Sequence, residues 1–470
     1  MRESRSRLFF SHAALAIFLL ALALRLLAVG DQWRAPPAGD GREYDALARS
    51  VLMGEGFHYE GPTSSYRSER LPLYPLFLAG IYGLSGYSLP AVRVVQVVLG
   101  AVTCLLIYAL GVSIFDRRTG IIAGTSASLY GLFISYYGPA SILTETLFTF
   151  VLWLLMWTVW KALPRFSLSY QVLCGVLMAA ASLIKGSGSL LAIFFLLFLL
   201  ISLPHGWKKA SRALALTAGV LLLGLSPWLL RNYYVHGTLV FSTKGGYVFW
   251  ESNNPAARGG EVIVSPRVEK PGRRLSELPP VERAYKEAEA AWLEAKRSEM
   301  ERIASRYPLE GLSEVERNRQ YFRRGLDYLS SNPGRLPKLL LRKALMHWNP
   351  IDKDYHFSYA VLVPFFLLGL VLAFRAAPGN RGLWLILLPV IYFQLIALVF
   401  YGYPRFRLPA DGSLIILAAL GIVWMARRVA QRPQWALPVA GWVGLNIFFE
   451  LNAARTLGIF RAIFASVGLR

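Results

Sequence analysis

The sequence predicts an all-α polytopic membrane protein, and three observations carry that prediction. Of 470 residues, 55% are hydrophobic and only 17% charged, against roughly 25% charged in an ordinary soluble domain. The apolar residues gather in about eleven unbroken runs, each near the ~20 residues a helix needs to cross a bilayer. Unbroken runs point to helices, which satisfy their own backbone in lipid, and away from a barrel of short alternating strands.

The runs fall near residues 8–29, 90–115, 119–136, 143–162, 168–184, 187–203, 212–230, 357–374, 382–400, 412–426 and 434–450. Arg2, Arg5 and Arg7 precede the first, as in a secretory signal. Its length, the presence of Arg25 and the spans that follow argue for a retained first helix. The blocks are then a membrane block 1–230 with a first loop 31–89, a hydrophilic segment 231–356, and a membrane block 357–470. No internal repeat is visible, so the inverted-repeat signature of many transporters is missing.

Inside the first loop, Asp40 to Leu52 predicts a helix. Tyr44, Leu47, Ala48, Val51 and Leu52 share one face, and Gly54 and Gly56 end it. Asp40-x-x-Glu43 has the form of a capping box. Arg70-Leu-Pro-Leu-Tyr-Pro75 leads into Leu76–Leu84, too short to span and so re-entrant or interfacial. In the hydrophilic segment, Val281 to Ser305 is rich in Ala, Glu, Lys and Arg. Ser313-Glu-Val-Glu316 is a second capping start, and Asn332-Pro-Gly334 a break before Leu339–Leu345. A small helical subdomain follows. The tail Arg455–Arg470 has the pattern of an amphipathic surface helix.

The net charge of +22 invites a nucleic-acid reading, but its placement opposes one. Arg117, Arg118, Lys161, Arg165, Lys208, Lys209, Arg212, Arg375, Arg381, Arg427, Arg428 and Arg432 all sit in short loops that alternate along the chain. That is positive-inside topology. It puts the N-terminus in the cytoplasm and residues 31–70, 137–141, 231–356 and 401–411 outside, in the plasma (inner) membrane of a bacterium or archaeon. Basic loops beside anionic lipid account for the charge. Cys104 and Cys174 lie within runs as core residues, and neither a disulfide framework nor a zinc spacing exists. The six histidines are too scattered for a metal site, and there is no P-loop or dinucleotide fingerprint.

Asp40 is the first candidate for chemistry. As a cap it would only hold backbone N–H groups; as a base it would use the same fixed position. Glu145 opens the run 143–162 in an apolar setting, where a carboxylate is a functional candidate or simply one favoured by the helix dipole. Arg70, Lys185, Arg231, Arg405 and Arg407 fall on the same predicted side. Each alone could snorkel at the interface, but together they suit a phosphate headgroup. Glu43, Tyr44, Tyr74 and Asn232 are candidate pocket residues. One carboxylate with several cations fits transfer of a sugar from a lipid phosphate. The leaving phosphate needs cations and the acceptor hydroxyl needs a base. Glycoside hydrolysis would need a carboxylate pair flanking the bond. No cofactor is required, and a divalent ion on Asp40 and Glu145 is left open.

The order of several motifs is also informative. They are Asp40 with Tyr44, Ala48 and Gly54–Phe57, then Arg70-Leu-Pro-Leu-Tyr-Pro75, Thr144-Glu-Thr-Leu-Phe148 and Pro227-Trp-Leu-Leu-Arg-Asn232. Trp250-Glu-Ser-Asn-Asn-Pro255, Ser313–Arg317, Asn332-Pro-Gly-Arg335 and Pro404-Arg-Phe-Arg-Leu-Pro409 complete the set. In these the chain resembles the membrane glycosyltransferases that use polyprenyl-phosphate sugars. It is most similar to family 39-like proteins, the relatives of protein O-mannosyltransferases and aminoarabinose lipid A transferases.

The resemblance implies a GT-C-type architecture of eleven to thirteen transmembrane helices with the active site under the first outer loop. It implies Asp40 as catalytic base, Lys185, Arg405 or Arg407 on the lipid phosphate, and inversion at the anomeric carbon. The implied partners are a polyprenyl-phosphate-linked sugar and a lipid, glycan or protein acceptor, with no nucleic acid. Two departures stand out. Gly41 follows Asp40 where the mannosyltransferases have an Asp-Glu pair. Arg70-Leu-Pro-Leu-Tyr replaces the Lys-Pro-Pro-Leu-Tyr of the lipid A enzymes. The competing readings are a transporter or flippase of lipid-linked sugars, and a polymerase or ligase of surface polysaccharide.

Overall fold

In the computed structural model, the described residues are 11–60, 65–134, 138–203, 207–257, 259–260, 309, 311–350 and 356–452. All eleven apolar runs form helices. They are α1 (His12–Val29), α4 (Leu89–Ile114), α5 (Arg117–Leu129) continued by the short α6 (Gly131–Ile134), α7 (Thr144–Ala162), α8 (Leu168–Ile184) and α9 (Ser187–Ser202). They continue with α10 (Trp207–His236), α14 (Phe357–Ala376), α15 (Arg381–Val399), α16 (Pro404–Gln431) and α17 (Ala436–Leu451). Between them lie α2 (Asp40–Leu52), α3 (Leu73–Ser85), α11 (Gly245–Ser252), α12 (Glu314–Ser331) and α13 (Leu336–Trp348). Among the described residues, six helices are by themselves long and apolar enough to cross a membrane, and α3, α8 and α9 are shorter apolar helices. The protein is an all-α, multi-pass membrane protein. The expected helix at 281–305 and the expected tail helix at 455–470 lie outside the described residues.

The chain forms two compact units. In the first (Met1–Ser242, Ser358–Phe393 and Arg407–Trp442), α4 is the central pillar and packs on α1, α5 and α7. Small residues permit the approach, as expected where lipid removes the hydrophobic drive between helices. A Cβ on Gly111 would lie 3.0 Å from the Cα of Gly120. The same holds where α14 crosses α16. A Cβ on Gly421 would meet the carbonyl oxygen of Phe365 at 2.2 Å.

Two buried polar residues of α4 fix the loops above it. Arg93 donates to the carbonyls of Trp33 and Ala35 at 2.7 Å and of Ala140 at 2.9 Å. Gln96 donates to the carbonyls of Pro139 and Ser141. Backbone acceptors that no helix would satisfy are thus paired inside the protein.

The second unit contains α11, α12 and α13. Ser313 and Glu316 form the expected reciprocal capping box at the start of α12, and Asn332 ends that helix. Phe249 of α11 stacks on Phe322 of α12 with ring centres 4.5 Å apart. Lys343 of α13 is 1% exposed. Its ammonium donates to Asn253 Oδ1 at 2.8 Å and to the carbonyls of Leu398 and Val399 at 3.1 and 3.2 Å. It thereby closes the C-terminal end of α15.

Arg405 and Arg407 were expected in a short loop. They lie instead in the first turns of α16, which opens at Pro404. Proline is well suited to a first helical position, so it marks a start there and not a break.

Two predictions follow from this packing. Gly421→Val forces α14 and α16 apart and costs about 1–3 kcal/mol of stability, read as a lower Tm of the purified protein in detergent. Burial pushes the Lys343 ammonium down from its ordinary 10.5 to about 7. The unfolded chain therefore binds the extra proton between these values, and stability rises with pH from about 7 towards 10.5. Lys343→Met flattens that part of the stability-versus-pH profile.

Candidate functional site

Gly39, at φ 54°, is the N-cap of α2, and no side chain caps the helix. The capping-box expectation for Asp40 and Glu43 is therefore corrected. Asp40 is the first helical residue, and residues three apart share a helix face. Both carboxylates turn to Arg70. Arg70 Nη2 lies 2.7 Å from Asp40 Oδ1 and 2.5 Å from Glu43 Oε2, and Nε also reaches Glu43 Oε2. The guanidinium sits 5.1 Å over the ring of Tyr44. Burial alone would lower the Arg70 pKa, but Asp40, Tyr44 and Glu43 outweigh it and raise it well above its usual value. The cation is permanent.

A second ring of partners surrounds this node. The hairpin of β1 (Tyr59–Glu60) and β2 (Ser65–Tyr66) brings Tyr59 alongside. Its hydroxyl donates to Glu43 Oε2 at 3.3 Å and to Glu69. Burial first, then the charges of Glu69 and Glu43, raise the Tyr59 pKa, so the phenol stays a donor. Asp45 faces another way and accepts from Tyr82 and Tyr87 while pairing with Arg49. It holds α2 to α3. Gly41 has a steric reason, since a Cβ there would lie 2.9 Å from the carbonyl oxygen of Ile142. The departure from an Asp-Glu pair lets the start of α2 press against the loop before α7.

A second ion pair lies close by. Glu145, in the first turn of α7, is fully buried, and Lys185, at the C-cap of α8, donates to its Oε1 at 2.9 Å. Tyr74 connects the two pairs. Its ring meets Tyr44 edge-on at 5.1 Å, its hydroxyl donates to Gln96 Oε1 at 2.9 Å, and it lies within electrostatic reach of Glu145. Asp40, Glu43, Tyr44, Arg70, Tyr74, Glu145 and Lys185 are thus brought together. Of the carboxylates, Asp40 has 32% and Glu43 31% of the side chain exposed, and Glu145 none. Asp40 can meet an incoming group; Glu145 acts by holding Lys185, which keeps 17% exposure.

The remaining expected residues have other work. Arg231 donates to the carbonyls of Phe57 and Arg67 and to Ser68 Oγ. It lies over the rings of Phe57 and Trp228. Asn232 is fully buried, accepts from Ser68 and donates to the carbonyl of Val240. Both hold the first loop. Arg407 is 1% exposed. Its Nε donates to Asp411 Oδ1 at 2.8 Å, its guanidinium lies 3.6 Å over Tyr359, and Tyr130 donates to the other Asp411 oxygen. It forms an internal charge pair. Arg405 is half-buried in the second unit.

Sequence reasoning missed Tyr59, Glu69, Gln96 and Asp411. Glu69 carried a signal in its position directly before Arg70, and Asp411 in its i,i+4 spacing from Arg407. Among the described residues no group of three or more His, Cys, Asp or Glu is placed to hold a metal ion.

Residues 69–230 match the family described as dolichyl-phosphate-mannose-protein mannosyltransferase. The matched stretch contains Arg70, Tyr74, Glu145 and Lys185. The chain resembles the polyprenyl-phosphate-dependent membrane glycosyltransferases. No curated protein matches it in sequence. Among solved structures it is similar to the oligosaccharyltransferase AglB of Archaeoglobus fulgidus in complex with an inhibitory peptide and a dolichol-phosphate. The TM-score is 0.53 at 14% identity, over 97% of this chain and 55% of AglB. The apo form of the Archaeoglobus fulgidus oligosaccharyltransferase gives 0.52 at 14% identity, over 95% of this chain and 55% of that one. ArnT from Cupriavidus metallidurans bound to undecaprenyl phosphate matches at a TM-score of 0.37 and 14% identity, over 88% and 79% of the two chains. The chain thus spans about half the length of AglB, and the AglB likeness establishes a GT-C-type fold.

Removing Arg70 leaves Asp40, Glu43 and Glu69 facing one another. Arg70→Gln lowers stability by about 2 kcal/mol, a buried-pair loss discounted for the partial exposure of its partners. Thermal unfolding measures that loss. Faster proteolysis within residues 53–68 reports the loosened loop.

Proposed function

We propose that this protein is a glycosyltransferase that moves a sugar from a polyprenyl-phosphate donor to an acceptor hydroxyl on the extracytoplasmic face of the membrane. The observation that carries this reading is the partly exposed Asp40 carboxylate, locked 2.7 Å from Arg70, beside a lysine that a fully buried glutamate holds in place. The resemblance over residues 69–230 supports the substrate class.

In this reading the acceptor oxygen attacks the anomeric carbon while the bond from that carbon to the phosphate oxygen breaks on the opposite face, inverting the configuration. Asp40 takes the proton of the attacking hydroxyl. The electron pair of the broken bond leaves on the polyprenyl phosphate, whose growing charge needs a cation. Lys185 supplies it, and Glu145 fixes its position. Arg70, expected at the phosphate, serves as the positioning residue of Asp40, because its donors are engaged by the two carboxylates. Tyr44 and Tyr74 form the wall between the two ion pairs.

Asp40→Asn keeps the shape of the side chain and removes its basicity. Transfer falls by roughly 10²–10⁴ while the donor still binds; near-normal transfer by the purified variant rules out the base. Lys185→Met weakens donor binding about tenfold or more. Unchanged donor affinity places the phosphate elsewhere.

A further inference from the structure

One buried charge in the first unit has no part in this chemistry. Arg25, in α1, is 1% exposed. It donates to the carbonyl of Ala21 at 3.1 Å and to Cys104 Sγ at 3.3 Å. Both partners are neutral acceptors, and no carboxylate among the described residues pairs with this guanidinium. Its Nε meets no acceptor among those residues. An arginine at membrane depth is costly unless its charge is answered, and one left uncompensated in a dry interior costs more still.

The surroundings suggest what answers it. Arg25 lines a cavity of about 20 Å³ together with Gly100, Thr103, Phe133, Thr146, Thr149 and Leu408. Thr149 Oγ1 is also buried without a partner among the described residues. Two unused donors, one charged and one a hydroxyl, therefore border the same small space. Gly100 makes the arrangement sterically feasible, since a Cβ there would lie 2.7 Å from Arg25 Nε. The space holds one or two water-sized particles and is too small for a phosphate headgroup.

We propose that this cavity is a binding site for one small monovalent anion of halide size, held by Arg25 Nε and Thr149 Oγ1. The site neutralises the guanidinium inside the helix bundle. It is separate from Asp40 and Lys185, so it stands whether or not the transferase reading does.

The test uses the full chain purified in detergent with chloride as the probe. ³⁵Cl line broadening is titrated in gluconate buffer, and Tm is measured in parallel. The expected result is saturable broadening and a Tm that rises with chloride. Arg25→Met should weaken binding about tenfold or more, and Thr149→Val should weaken it less. Should Arg25→Met fail to fold, Gly100→Ala displaces Nε and with Thr149→Val decides the matter. Non-saturable broadening in the native protein, or broadening unchanged in Thr149→Val and Gly100→Ala, overturns the proposal and leaves the cavity to water.

Discussion

The arrangement around Asp40 depends on the single guanidinium of Arg70. It joins two segments that the sequence separates by about thirty residues, the first turn of α2 and the turn before α3, through Asp40 and Glu43. Without it, three carboxylates and a buried phenol would crowd one another at an apolar surface. With it, α2 enters at a fixed angle, Gly41 packs on the backbone of Ile142, and Tyr44 meets Tyr74. The neighbouring Glu145–Lys185 pair follows the same logic one layer away. In the second pair the carboxylate is fully buried and the lysine keeps some access, whereas in the first both carboxylates are about a third exposed.

The loops that carry these groups are held from below. Arg93 and Gln96 project from the central pillar α4 and take up the carbonyls of both the segment before α2 and the segment before α7. Arg231 does the same for the carbonyls of Phe57 and Arg67 beside the hairpin, and Asn232 for that of Val240 after α10. Cations that look like anion receptors in a sequence can therefore be spent on backbone oxygens, because a membrane protein must satisfy every buried carbonyl internally. The same account covers Lys343 at the end of α15.

Much of the fold was legible. Every apolar run became a helix, and Asp40–Leu52 was bounded correctly, because hydrophobic periodicity and glycine stops are local signals. Pairing is not local. Nothing in the sequence says that Glu145 meets a lysine forty residues on or that Tyr59 reaches Glu43 and Glu69. The capping reading of Asp40 failed because a glycine at positive φ took the cap position and Arg70 took the carboxylates. Arg405 and Arg407 were placed in a loop because the apolar runs leave a gap at 401–411, whereas α16 opens at Pro404 and carries polar residues in its first turns. The resemblance to lipid-phosphate-sugar transferases was legible from motif order and agrees with the family match over residues 69–230.

Mass spectrometry of the lipid that copurifies with the native protein and with Asp40→Asn tests the central claim most directly. The account predicts polyprenyl phosphate on the native protein and intact polyprenyl-phosphate sugar retained by Asp40→Asn, since the variant binds the donor without transferring its sugar. Absence of any isoprenoid phosphate from both would contradict it.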